Sequence, residues 1–141
     1  MSRIFWDTNL FIYLLEGRGQ LAERVAELRH RMLERRDQLC TSTLTLGEVL
    51  VKPIRENRTD LVGKYETALA SGGVLLVPFD RRCASAYARI RRDKTIRAPD
   101  ALQLACAAQA GCDLFITNDD RLSRKLVAGL QFIVSLERAF L

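Results

Sequence analysis

Two short apolar runs in this chain end in the same kind of polar cluster. Ile4-Phe5-Trp6 leads into Asp7-Thr8-Asn9, and Leu114-Phe115-Ile116 leads into Thr117-Asn118-Asp119-Asp120. Runs this short, rich in bulky and β-branched residues, read as strands buried on both faces. The polar cluster marks where the chain leaves the sheet and begins a helix. An open parallel sheet binds ligands beyond the carboxyl ends of its strands, where strand order reverses. If these two strands are neighbours there, two carboxylates face one crevice, an arrangement suited to a metal ion and a phosphate.

The remaining pattern alternates strand and helix. A short apolar helix follows the first strand and ends near Gly17, and residues 20–37 form a charged helix with Leu21, Val25, Leu28 and Met32 on one stripe. Leu39-Cys40-Thr41 is a second strand, and the helix carrying Leu46, Val49 and Leu50 is expected to stop before Pro53. A helix over 59–71 is closed by Gly72-Gly73, and Val74 to Val77 is the third strand. Helices follow over 81–94 and, after Pro99, to about 110. The fourth strand covers 113–117, a short helix 121–128, and Phe132-Ile133-Val134 is the fifth strand. Such alternation predicts one α/β domain over residues 1–141, with a mainly parallel five-stranded sheet. Two successive helices between strands three and four suggest a long return across the sheet. That return would create the reversal point.

Composition narrows the class. With 48% hydrophobic residues in 141, the chain is long enough to bury a sizeable core. No apolar stretch approaches the ~20 residues that span a bilayer. The first strand begins at residue 4, so the expectation is no leader segment and a cytoplasmic location. Cys40, Cys83, Cys106 and Cys112 lack any CxxC spacing and lie beside apolar or small residues, which predicts buried free thiols. The single His30 stands between Arg29 and Arg31 on a solvated face, so a Cys/His zinc site is not expected. The net charge of +5 gains meaning only if positive groups surround a site that handles phosphate.

Each acid has an ordinary reading beside a functional one. Asp7 suits a helix N-cap, and Asp100, after Pro99, suits a helix first turn. Glu48 lies off the centre of its helix's apolar stripe, as a surface glutamate would, although Gly47 beside it allows a close approach. Asp119 and Asp120 both follow the fourth strand, and Asp119, nearer the strand end, is preferred for the site while the doubled acid leaves the choice open. Carboxylates ~5 Å apart repel by about 3 kcal/mol at an effective dielectric near 20. Acids that gather must therefore be protonated, paired with arginine or bound to cations. Oxygen ligands without Cys or His select Mg²⁺ or Mn²⁺.

With these residues in view, the chain resembles the PIN-domain ribonucleases, particularly the VapC-like toxins of toxin–antitoxin pairs. Phe5 to Asn9 is similar to the family's opening strand and first acid, and Ser42 to Val49 to the segment of its second. The stretch Arg97-Ala98-Pro99-Asp100-Ala101-Leu102-Gln103-Leu104-Ala105 matches the third, and Phe115 to Asp119 the fourth. The resemblance implies a three-layer α/β/α fold in which Asp7, Glu48, Asp100 and Asp119 converge. It also implies metal-dependent endonucleolytic cleavage of RNA that leaves a 5′-phosphate, a cognate antitoxin, and a homodimer. Asp7 and Asp100 would hold Mg²⁺ or Mn²⁺ directly, with Glu48 and Asp119 ligating or orienting its waters. Thr8, Asn9, Thr117 and Asn118 are candidates for hydrogen bonds to those ligands.

The basic residues Arg89, Arg91, Arg92, Lys94 and Arg97 run into Asp100. They read as a solvated helix face or as a phosphate track for RNA. Tyr13, Leu14 and the 46–50 helix suit core packing, or a groove for an antitoxin segment. Two other functions fit parts of the pattern. An aspartyl-nucleophile phosphatase would want a second acid where Asn9 stands. A catalytically silent binding module would keep the fold and recruit a partner.

Overall fold

The computed structural model describes residues 1–70 and 73–139. Among them run β1 (Arg3–Trp6), β2 (Gln38–Ser42), β3 (Val74–Val77), β4 (Leu114–Thr117) and β5 (Phe132–Ser135). The strands form one wholly parallel sheet in the order β3-β2-β1-β4-β5. The chain steps outward from β1 to β3, then returns to lay β4 on the other side of β1. The reversal therefore falls between β1 and β4, where Ile4 pairs with Leu114, Phe5 with Phe115 and Trp6 with Ile116.

Side chains alternate across a strand, so each of these strands supplies both faces of the sheet. Ile4, Trp6 and Ile116 join one apolar cluster, covered by α1 (Thr8–Glu16), α2 (Gln20–Arg35), α3 (Thr43–Arg55) and α4 (Thr59–Ala70). Phe5 and Phe115 join the other, covered by α5 (Arg81–Ile90) and α6 (Ala98–Gln109). The Phe5 and Phe115 rings stack at 5.1 Å with a 9° interplanar angle, across the reversal point. On the opposite face Trp6 meets Phe11 of α1 at 5.2 Å. The sheet is thus the middle layer of an α/β/α sandwich, as parallel sheets require. Cys40, Cys83, Cys106 and Cys112 are buried free thiols in the second cluster.

Several elements differ from the sequence-based expectations. The α3 helix continues through Pro53 to Arg55. Pro53 removes one amide hydrogen bond from the last turn, and burial of its ring offsets that loss. Leu21 leaves the α2 stripe and is 44% exposed, while Val25, Leu28 and Met32 stay buried. The helix expected at 121–128 is only a 3₁₀ turn over Leu122–Arg124. The backbone turns extended at Lys125, which closes it. Gly47 is exposed, and a Cβ there would meet nothing within 4 Å, so it permits no special approach. The expected closure of α4 at Gly72 lies outside the described residues. Among the described residues no helix is long and apolar enough to cross a membrane.

Because Phe5 and Phe115 meet only through the β1–β4 pairing, their contributions must couple. In urea titrations, Phe5→Leu and Phe115→Leu are each expected to destabilise, and the double variant to lose less than the sum by about 0.5–1.5 kcal/mol. Strict additivity would contradict this packing.

Candidate active site

Asp7 begins where β1 ends. Its backbone N–H donates to the Ile116 carbonyl (3.0 Å), tying the first residue after β1 to β4. Its side chain caps α1, with Oδ1 accepting the Thr8 N–H (2.9 Å) and Oδ2 accepting the Thr117 hydroxyl (3.0 Å). The ordinary N-cap reading is therefore correct as geometry, and incomplete. Burial pushes the Asp7 carboxyl up to about 6; the Thr8 and Thr117 hydrogen bonds pull it down, and the charges of Asp100 and Glu48 push it further up.

Asp100 stands in the first turn of α6, whose N-terminus opens at the same edge of the sheet. Burial raises its carboxyl too, followed by repulsion from Asp119; Arg97 opposes, Glu48 adds to the rise, and Arg121 opposes. Asp119 differs. Burial pushes its carboxyl up, but the N–H groups of Arg121 and Leu122 and the Arg121 guanidinium outweigh that and hold it low. Arg121 Nη2 lies 3.6 Å from Asp119 Oδ2. Asp100 and Asp119 line one open crevice together with Arg97, Arg121, Arg124 and Lys125. Asp120 instead faces a separate hollow with Asn118 and Glu137, so Asp119 is the member of the pair at the crevice.

Glu48 is held to this edge by a hydroxyl. The Thr8 O–H donates to Glu48 Oε1 at 2.7 Å, bridging α1 and α3. Beneath Thr8 lies a wholly buried polar cluster of Thr41, Ser42, Thr45 and Gln103. Gln103 Nε2 donates to Thr45 Oγ1 (2.7 Å) and Thr8 Oγ1 (3.1 Å), and the Ser42 hydroxyl donates to Gln103 Oε1. The Thr41 hydroxyl donates to the Trp6 carbonyl at 3.0 Å and lies 2.8 Å from Thr45 Oγ1.

Asp7, Glu48, Asp100 and Asp119 are thus linked by mutual repulsion at the carboxyl edge of β1 and β4. Among the described residues, however, no three Asp, Glu, His or Cys side chains come close enough together to form a ready metal cage. The donor set is oxygen only, the class taken by hard divalent cations, and a cation between them would relieve the repulsion.

Of the neighbouring polar residues, Thr8 and Thr117 touch the acids directly. Asn9 is exposed on α1 without a hydrogen bond to any of the four acids, and Asn118 donates to the Tyr13 hydroxyl at 2.9 Å. Among the basic residues, Arg97 lines the acid crevice. Arg89 and Arg92 line an adjoining groove that shares Ile96 with it. Arg91 donates to the Tyr87 hydroxyl at 3.5 Å, and Lys94 is exposed. The sequence reading missed Arg121 and Arg124, whose turn it took for helix, and the buried cluster around Gln103. A glutamine in an otherwise small and apolar buried helix was the available signal.

The raised carboxyl of Asp7 has a measurable price. Its folded value of about 6 exceeds the ordinary 3.8, so the folded state holds the proton more tightly. The Asp7 contribution to stability is accordingly most favourable below about pH 4, declines as pH rises to about 6, and above that is a penalty on the order of 3 kcal/mol. Asparagine caps a helix as well as aspartate does. Asp7→Asn is therefore expected to raise the thermal midpoint by several degrees at pH 7.5 in chelator, with the gain shrinking toward pH 4. A midpoint unchanged or lowered at pH 7.5 would contradict the charge burden assigned to Asp7.

Comparison with known proteins accords with this geometry. The PIN domain profile matches residues 4–126, a span that includes all four acids. Among solved structures, the fold is similar to that of VapBC2 from Rickettsia felis bound to a DNA fragment from its promoter. The TM-score is 0.74 at 13% identity, over 94% of this chain and 98% of that one. FitAcB from Neisseria gonorrhoeae gives 0.60 at 28% identity, over 82% and 87% of the two chains. DNA-bound VapBC from Salmonella typhimurium gives 0.66 at 22% identity, over 96% and 99%. A comparison with curated proteins finds no match. With the profile covering most of its length, this chain belongs to the PIN domain family.

Proposed function

We propose that this protein is a metal-dependent endoribonuclease and the toxin of a toxin–antitoxin pair. The observation that carries the reading is the shared charge burden of Asp7, Glu48 and Asp100 where β1 meets β4. Among the described residues none of these three carboxylates has an arginine ion pair, and Arg97 and Arg121 offset only part of the burden on Asp100, a destabilising arrangement that a bound cation would relieve. Asp7 and Asp100 would hold Mg²⁺ or Mn²⁺, with Glu48 and Asp119 completing or orienting its shell. When bound, the cation lowers the pKa of an attacking water and offsets charge on the scissile phosphate.

The chain's own residues prepare that chemistry. Thr117 and the Thr8 N–H fix the two oxygens of Asp7 in different directions. Thr8 fixes one oxygen of Glu48. Arg97, Arg121 and Arg124 bring cations to the same crevice, where their planar forks suit phosphate oxygens. Lys125 is already tied to Asp93 (3.1 Å) and Thr95 (2.6 Å), which anchors the loop after β4 to the α5–α6 connection. The phosphate path thus runs over Arg97, Arg121 and Arg124, with Arg89 and Arg92 in the adjoining groove as its extension.

A protein partner is supported by the company the fold keeps. The structures from Klebsiella pneumoniae and Mycobacterium tuberculosis are also described as belonging to toxin–antitoxin systems. Val51 and Ile54 on α3 are more than half exposed and extend the apolar surface of Leu46 and Leu50, giving an antitoxin segment a place to lie. Self-association into a homodimer belongs to the same reading.

Purified protein is expected to cut RNA in Mg²⁺ or Mn²⁺ and to stop when the metal is chelated. Asp100→Asn should lower the rate at least 100-fold; cleavage unchanged in that variant would reject the assignment. Arg97→Glu with Arg121→Glu should weaken RNA binding and flatten its salt dependence, by about 0.7 in log–log slope for each phosphate that is no longer neutralised. Binding and slope both equal to wild type would dismiss the path.

A further inference from the structure

We propose that Gln103 is a positioning residue whose side-chain amide, by donating to the Thr8 oxygen, holds the Thr8 hydroxyl in the orientation that gives its proton to Glu48. The geometry behind this needs no metal and no substrate. Its consequence for catalysis rests on the nuclease reading above.

The order of the protons follows from which atoms can donate. A carboxylate only accepts, and a hydroxyl has one proton. At 2.7 Å from Glu48 Oε1, the Thr8 proton must lie on that contact. The Thr8 oxygen is then left to accept, and Gln103 Nε2 at 3.1 Å supplies the proton. The second proton of the same nitrogen goes to Thr45 Oγ1 at 2.7 Å. The carbonyl end of the amide consequently faces Ser42, whose hydroxyl donates to it. Deeper in the cluster the Thr41 hydroxyl reaches both the Trp6 carbonyl (3.0 Å) and Thr45 Oγ1 (2.8 Å), and Thr45 Oγ1 lies 3.3 Å from Thr8 Oγ1. Around Thr8 and Gln103 this assignment pairs each donor with an acceptor.

A flipped amide would fail. It would set the Gln103 oxygen against a Thr8 oxygen whose proton is already committed, leaving two acceptors face to face. Satisfying the cluster the other way would require Thr8 to release Glu48. Glu48 sits on an exposed part of α3, and its long side chain has no other hydrogen bond among the described residues. The amide on α6 therefore reaches the acid on α3 through a hydroxyl on α1, and all three helices are registered by it. Neither Gln103 nor Thr8 needs to touch RNA for this.

The test uses the full chain, with two readouts. In metal-free protein, the Gln103 side-chain NH₂ resonances are followed by NMR. Glu48→Ala is expected to shift them in the wild-type and Thr8→Ser backgrounds, and not in Thr8→Val, where the relay is cut. Resonances indifferent to Glu48→Ala in the wild-type background would overturn the proposal. Mn²⁺ affinity is the second readout. Gln103→Leu and Thr8→Val are each expected to weaken it about 10–100-fold, as loss of a supporting hydrogen bond does. The double variant should be no weaker than the worse single, and effects that multiply would overturn the relay. Circular dichroism establishes that the variants fold; if Gln103→Leu does not, the Thr8→Val and Glu48→Ala arms decide. If the wild type neither binds Mn²⁺ nor cuts RNA, the nuclease reading falls and the NMR coupling alone settles the relay.

Discussion

The pairing of β4 with β1 is the constraint on which the rest depends. It brings Thr117 to Asp7 and the α6 N-terminus to the same edge, although Asp7 and Asp100 are far apart in the chain. Parallel strands cannot be joined by a tight turn, so their pairing needs long crossovers. Here the crossovers are the helices that cover both faces of the sheet. The stacked Phe5 and Phe115 rings make the junction apolar directly beneath the acids. The crevice is therefore a consequence of how the sheet is wound.

At that edge the fold accepts a cost. Burial and mutual repulsion raise Asp7 and Asp100, while few cations approach closely enough to compensate. Opposing this, the cluster of Thr41, Ser42, Thr45 and Gln103 is hydrogen-bonded throughout. A satisfied buried network rigidifies, whereas a partly satisfied one destabilises. Rigid support below and strained charge above is the combination expected of a preorganised site. Asp119 stands apart from this strain, because the N–H groups and the guanidinium of the following turn stabilise its charge. The two halves of the crevice thus differ electrostatically.

Local features were the most legible. Asp7 after β1 and Asp100 after Pro99 were recognisable because a strand end, a cap and a first-turn acid are matters of adjacent residues. Buried β1 and β4 were legible because an apolar run without charge has few other places to go. Pro53 misled because the extent of α3 depends on packing, and the buried ring holds the last turn in place. Leu21 misled for the same reason, since a helical stripe records which residues face inward only where a partner layer exists. The basic stretch from Arg89 to Arg97 gave the charge but not its aim. Arg121 and Arg124 reach the acid crevice from another part of the chain.

The sequence by itself determined the alternation of strands and helices, the apolar centre of the sheet, and the acids at the ends of its strands. Short-range sterics and side-chain periodicity specify these. Only the tertiary structure decided that Asp119 rather than Asp120 faces Asp100, and that Gln103 lies among three hydroxyls. It also decided that Thr8 holds Glu48. Hydrogen bonds and Coulomb forces act over a few ångströms of space regardless of separation along the chain, so their partners exist only once the sheet has closed.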